Sequence, residues 1–231
     1  MMCSYDENAA EYASLIQSRD AWGFSAYLDL VIPALLRVAG DVQGKRALDA
    51  CCGEGYLTRI LAGLGAQVTG VDISAQLVTM AQQKEAEEPC GITYLIHDLT
   101  QPLPQYEAQM DVVTCNLALN DVSDYRSFIA NLAAMLRPQG VLIISMNNPY
   151  SAVIRGKVEH YFDSGQAQVY SGLAAAGVPA LYHHRTLEDY ISEFRKHGLW
   201  LRMLSDVKPS AAQLASGSPR PKEYYRFPFF M

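Results

Sequence analysis

Residues 47–56 read Ala47-Leu48-Asp49-Ala50-Cys51-Cys52-Gly53-Glu54-Gly55-Tyr56. An apolar, strand-like run ends in an aspartate, and two glycines lead into a helix-like stretch. Gly53 and Gly55 therefore lie between a strand and a helix, where backbone N–H groups can approach a ligand. The dinucleotide fingerprint GxGxxG fails in either register. Counted from position 51 it lacks glycine at Cys51 and Tyr56, and counted from 53 it lacks glycine at Thr58. Asp49 adds a sign to the choice, because a carboxylate there disfavours a pyrophosphate and favours an ammonium or a sulfonium. The turn suits a nucleoside that carries positive charge and no phosphate.

Outward from this turn, short β-branched runs alternate with helical stretches. Residues 45–50, 67–72, 92–97, 110–115 and 140–146 read as buried strands, and 56–64, 74–87 and 124–136 carry helical spacing. Asp72 and Ser74 offer caps for the second of these helices, and Pro138-Gln139-Gly140 stops the third. The alternation predicts an α/β fold: a doubly wound, mostly parallel sheet of Rossmann-like type. Ligands of such sheets bind outside the carboxyl ends of the strands.

A single domain over 1–231 is expected. Two helices near 5–18 and 22–39, with a kink at Pro33, form an N-terminal helical cap over 1–40, and the core runs over 41–147. Residues 148–185 break the rhythm with Tyr150, Tyr161, Phe162, Tyr170 and Tyr182 among glycines, and their length predicts a lid insertion after strand five. A helix over 186–197 and a strand over 199–204 resume the pattern. Residues 226–231 (RFPFFM) read as a last strand barely begun, either cut short or completed by a partner.

Half of the 231 residues are hydrophobic, enough for a sizeable core. The net charge is -6 and no run of Lys and Arg forms a basic patch, so nucleic acid is not expected as a partner. The five cysteines are odd in number and lack metal-ligand spacing, which predicts small buried hydrophobes in a reducing cytoplasm and no metal site. Asp6, Glu7 and Glu11 stand where a signal peptide would be basic, so no leader is expected. No apolar run approaches the ~20 residues that span a bilayer. The expectation is a cytoplasmic monomer or homodimer, away from membranes.

In these residues the chain resembles the class I S-adenosylmethionine-dependent methyltransferases. Their D-x-G-x-G-x-G loop is matched by Asp49, Cys51, Gly53 and Gly55, with Cys51 in place of the first glycine. A backbone conformation open to a non-glycine residue is therefore expected at Cys51. The resemblance implies that Asp72, in GVDIS, accepts both ribose hydroxyls. It implies that Asp98, in HDL, accepts the adenine amino group with Leu99 beside the ring. Asn116, in CNLAL, would line the methyl-donor side, and Asp49 would face the donor's cationic end. Ala50, Ile73 and Leu117 complete this cofactor set, while Tyr12 and Arg19 would close its methionine end, Arg19 by pairing with the carboxylate.

The resemblance further implies seven strands with an antiparallel last hairpin, and S-adenosylmethionine as cofactor. The implied reaction is methyl transfer to an oxygen, nitrogen or carbon of a small organic acceptor, in bacterial metabolism or natural-product tailoring. A non-catalytic protein that binds S-adenosylmethionine or its homocysteine product is the alternative. In-line displacement on carbon leans on proximity and orientation, so a general base is optional. His184, in YHHRT, is the candidate base, and packing of the helix start is its plainer role. NNPY at 147–150 resembles a motif of nitrogen methyltransferases, but it follows strand five instead of strand four and reads as a loop exit.

Overall fold

The computed structural model describes residues 4–19, 25–165, 167–169, 181–217, 219–226 and 228–231. Tyr170 and the rest of the expected lid up to residue 180 lie outside the described residues. Helices α1 (Ser4–Glu7) and α2 (Ala9–Gln17) come first, then a π-helical turn (Ala26–Val31) that runs into α3 (Ile32–Ala39). The core follows as β1 (Arg46–Ala50), α4 (Tyr56–Gly63), β2 (Gln67–Asp72), α5 (Ala75–Glu87), β3 (Thr93–Ile96), β4 (Met110–Asn116), α6 (Tyr125–Met135) and β5 (Leu136–Ser145). After it come α7 (Pro149–Ile154), β6 (Ala167–Val169), β7 (Leu181–His183), α8 (Leu187–Lys196), α9 (Ala211–Ala215) and α10 (Pro219–Arg226).

Five strands form one sheet in the order β3-β2-β1-β4-β5, and every pairing in it is parallel. Successive residues of a strand face opposite sides, and here both sides are covered. Ala47 packs with Ile32, Leu57 and Leu61 on one face, while Leu48 and Ala50 pack with Phe128, Ile129 and Leu132 on the other. That double burial explains the nearly unbroken apolar runs of the sequence. The strand order reverses at β1, so the crevice above Ala50 is where such a sheet takes its ligand.

The expected seven-stranded sheet is not formed. β6 and β7 pair with each other as a separate antiparallel ribbon. Residues 199–204 are not a strand, and Trp200, Leu201, Met203 and Leu204 are exposed. A strand exists only where a neighbour takes up its backbone groups. Among the described residues, Val207 is reached through its N–H to the Phe230 carbonyl at 3.1 Å. Residues 229–231 do run antiparallel beside the extension of β5, with Met146 and Met231 exchanging two backbone hydrogen bonds of 2.9 and 3.0 Å.

Pro33 removes a donor near the start of α3. Its missing N–H would have met the Asp29 carbonyl, which instead accepts from the Gln213 side chain at 3.0 Å. The helix widens to a π turn on the N-terminal side of this proline. Strand β5 begins earlier than predicted, at Leu136, and residues 137–140 bulge out between the pairs Met110–Leu136 and Val112–Val141. No helix among the described residues is long and apolar enough to cross a membrane.

Candidate nucleoside site

The turn after β1 carries three left-handed residues, Cys51 (φ 58°), Gly53 (φ 56°) and Gly55 (φ 84°). Cys51 thus adopts the small left-handed region, which is open to a non-glycine residue but uncommon for one. The left-handed region costs an L-residue roughly 1–2 kcal/mol. The Cys52 N–H, donating to the Val71 carbonyl at 3.1 Å, holds the turn against that cost. Gly55 opens α4, and a Cβ there would collide with the Tyr94 hydroxyl. A Cβ on Gly53 would lie 3.7 Å from the Tyr12 ring.

Asp49 is 1% exposed. Its Oδ2 accepts from the Thr58 hydroxyl at 2.7 Å and its Oδ1 from the Thr114 hydroxyl at 2.7 Å. Burial lifts its carboxyl to about 6, while the two threonines hold it down. No lysine or arginine among the described residues forms an ion pair with it. The site thus contains a buried carboxylate that no cation among the described residues pairs.

Asp72, at the end of β2, is also buried. Its Oδ2 accepts from the Gly53 N–H at 2.8 Å and its Oδ1 from the Ser74 N–H at 2.8 Å. The cap of α5 is Ser74, whose hydroxyl accepts from the Leu77 N–H, so Asp72 braces the glycine turn instead. Ile73 beside it is 48% exposed, unusual for an isoleucine flanked by buried residues. Asp98 lies one strand further on and accepts from the Thr100 N–H at 2.9 Å and hydroxyl at 2.8 Å, with Leu99 buried behind it. Asn116 ends β4, accepts from the Ser145 hydroxyl, and is followed by Leu117 in a left-handed conformation (φ 55°). Asp49, Asp72, Asp98 and Asn116 therefore stand at or just beyond the carboxyl ends of β1, β2, β3 and β4.

The helical cap closes over this row. Tyr12 lies against Gly53. Asp6 accepts from the Ser74 hydroxyl at 2.6 Å and the Gln76 N–H at 3.1 Å, and Tyr5 donates to Asp121 at 2.5 Å. Burial lifts the Asp121 carboxyl to about 7, and the Tyr5 contact opposes that rise. Arg19 is on the surface, paired with Asp29 at 2.9 Å. Tyr27, on the π turn, was not singled out by the sequence. It lies near Asn116, Asp49 and Glu54. Thr58 and Thr114 were missed too, because their role appears only when α4 and β4 flank Asp49.

His184 does not fit the role of base expected of it. It is fully buried, with Nε2 2.8 Å from the Tyr161 carbonyl oxygen and Nδ1 3.5 Å from the Tyr182 hydroxyl. Both ring nitrogens face protein atoms, and the imidazole packs the start of α8, its plainer role. Next to it, Arg185 donates to the Val122 and Ser123 carbonyls at 2.7 and 2.9 Å, and its guanidinium lies 4.3 Å from the Tyr125 ring centre. Asn148 of NNPY caps α7 by accepting from the Tyr150 N–H, which makes that motif a loop exit as expected.

A glycine turn at a helix start, carboxylates at successive strand ends and a buried anion without a counter-cation fit a cationic nucleoside. They are the features that the resemblance to class I methyltransferases led us to expect. Residues 48–144 match the family model described as a methyltransferase domain. The chain is similar to an S-adenosylmethionine dependent methyltransferase of Mesorhizobium loti, at 25% identity and TM-score 0.74 over 90% of this chain and 95% of that one. A Listeria monocytogenes protein of 22% identity shares the fold, at TM-score 0.72 over 87% and 93% of the two chains. A ubiquinone biosynthesis O-methyltransferase of Coxiella burnetii is 34% identical over 62% of this chain. The chain covers 62% of that relative's length.

Proposed function

We propose that this protein transfers the methyl group of S-adenosylmethionine to a small organic acceptor, and that the acceptor atom is oxygen. The observation that carries the reading is the row Asp49, Asp72 and Asp98, with Asp72 tied to the Gly53 N–H at 2.8 Å. In this reading Asp72 accepts from two ribose hydroxyls, Asp98 accepts from the adenine amino group, and exposed Ile73 covers the base. Asp49 and Asn116 flank the methionine end. The oxygen preference rests on the printed name of the Coxiella relative.

The cofactor supplies an electrophilic methyl on a sulfonium. The chain's own contribution is to orient donor and acceptor in line and to exclude water. Residues 148–185 are the proposed acceptor wall. Tyr150 and Tyr161 stack there at 4.5 Å with an interplanar angle of 5°, and Phe162 beside them is 83% exposed. With His184 buried, this reading assigns no protein base.

Calorimetric titration with S-adenosylmethionine, its homocysteine product and NADH tests the site. Binding of the first two and not the third is expected. A label from the donor methyl should then appear on phenolic acceptors. Label on amines or carbon alone would refute the oxygen assignment, and NADH binding would refute the site.

A further inference from the structure

The loop after β4 carries an acid that the cofactor row does not use, Asp121. Its neighbour Asn120 is fully buried and fixes the loop from three sides. The Asn120 Oδ1 accepts from the Asn147 N–H just beyond β5 at 3.0 Å, and its Nδ2 donates to the Tyr190 hydroxyl of α8 at 3.2 Å. Its carbonyl accepts from the His183 N–H of β7 at 2.7 Å. A turn closed by the Asp121 N–H on the Ala118 carbonyl, at 2.8 Å, then carries Asp121 to the cap.

Three parts of the protein meet at this loop. It leaves β4 at Asn116, touches β7 of the proposed acceptor wall through Asn120, and reaches α1 through the Tyr5 hydroxyl, which donates to Asp121 Oδ2 at 2.5 Å. The Tyr5 ring meets the Tyr12 ring edge to face, with centroids 5.0 Å apart, and Tyr12 lies against Gly53 of the glycine turn. The Tyr5 contact displays what this carboxylate accepts, namely a phenolic O–H. Among the described residues no lysine or arginine forms an ion pair with Asp121. The ionisable groups around it are Tyr5 and Tyr12 of the cap and His183, whose Nδ1 is 3.3 Å from the Asn120 carbonyl oxygen. Asp6 is turned away to Ser74 and Gln76, and Arg185 to the Val122 and Ser123 carbonyls. Burial has lifted the Asp121 carboxyl to about 7, where a general base works well at neutral pH.

We infer that Asp121 receives the proton of the acceptor hydroxyl, which takes the place that the Tyr5 hydroxyl holds in the closed cap. The inference rests on the oxygen reading proposed above and adds to it the group that takes the proton. As the acceptor oxygen bonds to the methyl carbon, its O–H proton passes to Asp121 Oδ2. The C–S bond breaks with its electron pair staying on sulfur, so the sulfonium leaves as a neutral thioether. The protonated carboxyl then returns its proton to water.

The test measures methyl transfer to two phenols of different acidity, 4-methylphenol and 4-nitrophenol, against pH. For 4-methylphenol, kcat/KM should rise with pH to a plateau, with its midpoint at about 7. Asp121→Asn should erase that step and lower kcat at least about a hundredfold. The loss with 4-nitrophenol, which ionises without help, should be far smaller, and Asp121→Glu should recover part of the rate. Calorimetry should find S-adenosylmethionine affinity unchanged in both variants, which also shows that they fold. Tyr5→Phe removes a donor that favours the ionised carboxylate, so it should move the step to higher pH. A purely structural aspartate predicts equal losses with the two phenols. Equal losses, no loss, or a step that survives in Asp121→Asn would overturn the inference and leave the oxygen reading standing. An unaltered protein that binds S-adenosylmethionine and methylates neither phenol would overturn both.

Discussion

Asp49→Asn should make the ligand-free protein more stable and its cofactor binding weaker. Asp49 is buried between Thr58 and Thr114, and its carboxyl stands at about 6 against an ordinary 3.8. That difference corresponds to about 3 kcal/mol of stability lost when the group is ionised in the fold. Between pH 3.8 and about 6 the folded state holds a proton that the unfolded state has released. Stability therefore falls as pH rises through this window. The penalty is absent below it and complete above it. Asparagine is neutral, keeps one acceptor oxygen, and offers its NH2 to the other threonine hydroxyl, which can rotate to accept. The variant should thus gain about 2–3 kcal/mol at pH 8 and little at pH 4. It should bind S-adenosylmethionine at least about tenfold less tightly, a loss of about 1.4 kcal/mol, because the anion facing the donor is gone. Denaturant midpoints at pH 4 and pH 8, with calorimetry at pH 8, measure both. A variant less stable at pH 8, or a stability difference that ignores pH, would refute the reasoning.

Asp72→Asn keeps the acceptor for the Ser74 N–H but turns a donor toward the Gly53 N–H. Cofactor affinity should fall at least about tenfold, and an unchanged dissociation constant in the folded variant would remove the ribose assignment. His184→Ala should cost about 2–4 kcal/mol of stability, as a buried ring leaves a cavity. The pH profile of methyl transfer should stay as it was, and a lost titration near neutral pH would restore the base role. Arg185→Met removes the donors held by the Val122 and Ser123 carbonyls and should destabilise by roughly 3 kcal/mol. Thermal melts showing a change below about 0.5 kcal/mol would contradict that clamp.

The five sheet strands and the helices between them were legible because both faces of this sheet are buried, so β-branched runs and turn residues suffice to mark them. Residues 199–204 (LWLRML) are as apolar but hold no β-branched residue, and they form no strand, since a strand is a property of its neighbour as much as of its own residues. Asp49, Asp72 and Asp98 were legible from their places at strand ends. The threonines that hold Asp49 were not, because Thr58 is nine residues away and Thr114 sixty-five. Tyr27 left no periodic signal: a π turn breaks helical spacing, and Pro33 marked only the bend beside it. His184 looked reactive by type and position, and only its burial shows that its nitrogens are taken.

The cysteine turn provides a way to observe the loop itself. Its hydrogen bond with Cys115, then burial, raises the Cys51 thiol well above its usual value, and burial does the same for Cys52. Thiolate is the reactive form, so both resist alkylation while the turn is closed. Cys90, in contrast, is exposed. A thiol reagent should therefore modify Cys90 promptly and the loop pair slowly, buried Cys52 slowest. The slow phase of labelling becomes a clock for the loop, and an occupied nucleoside site should lengthen it.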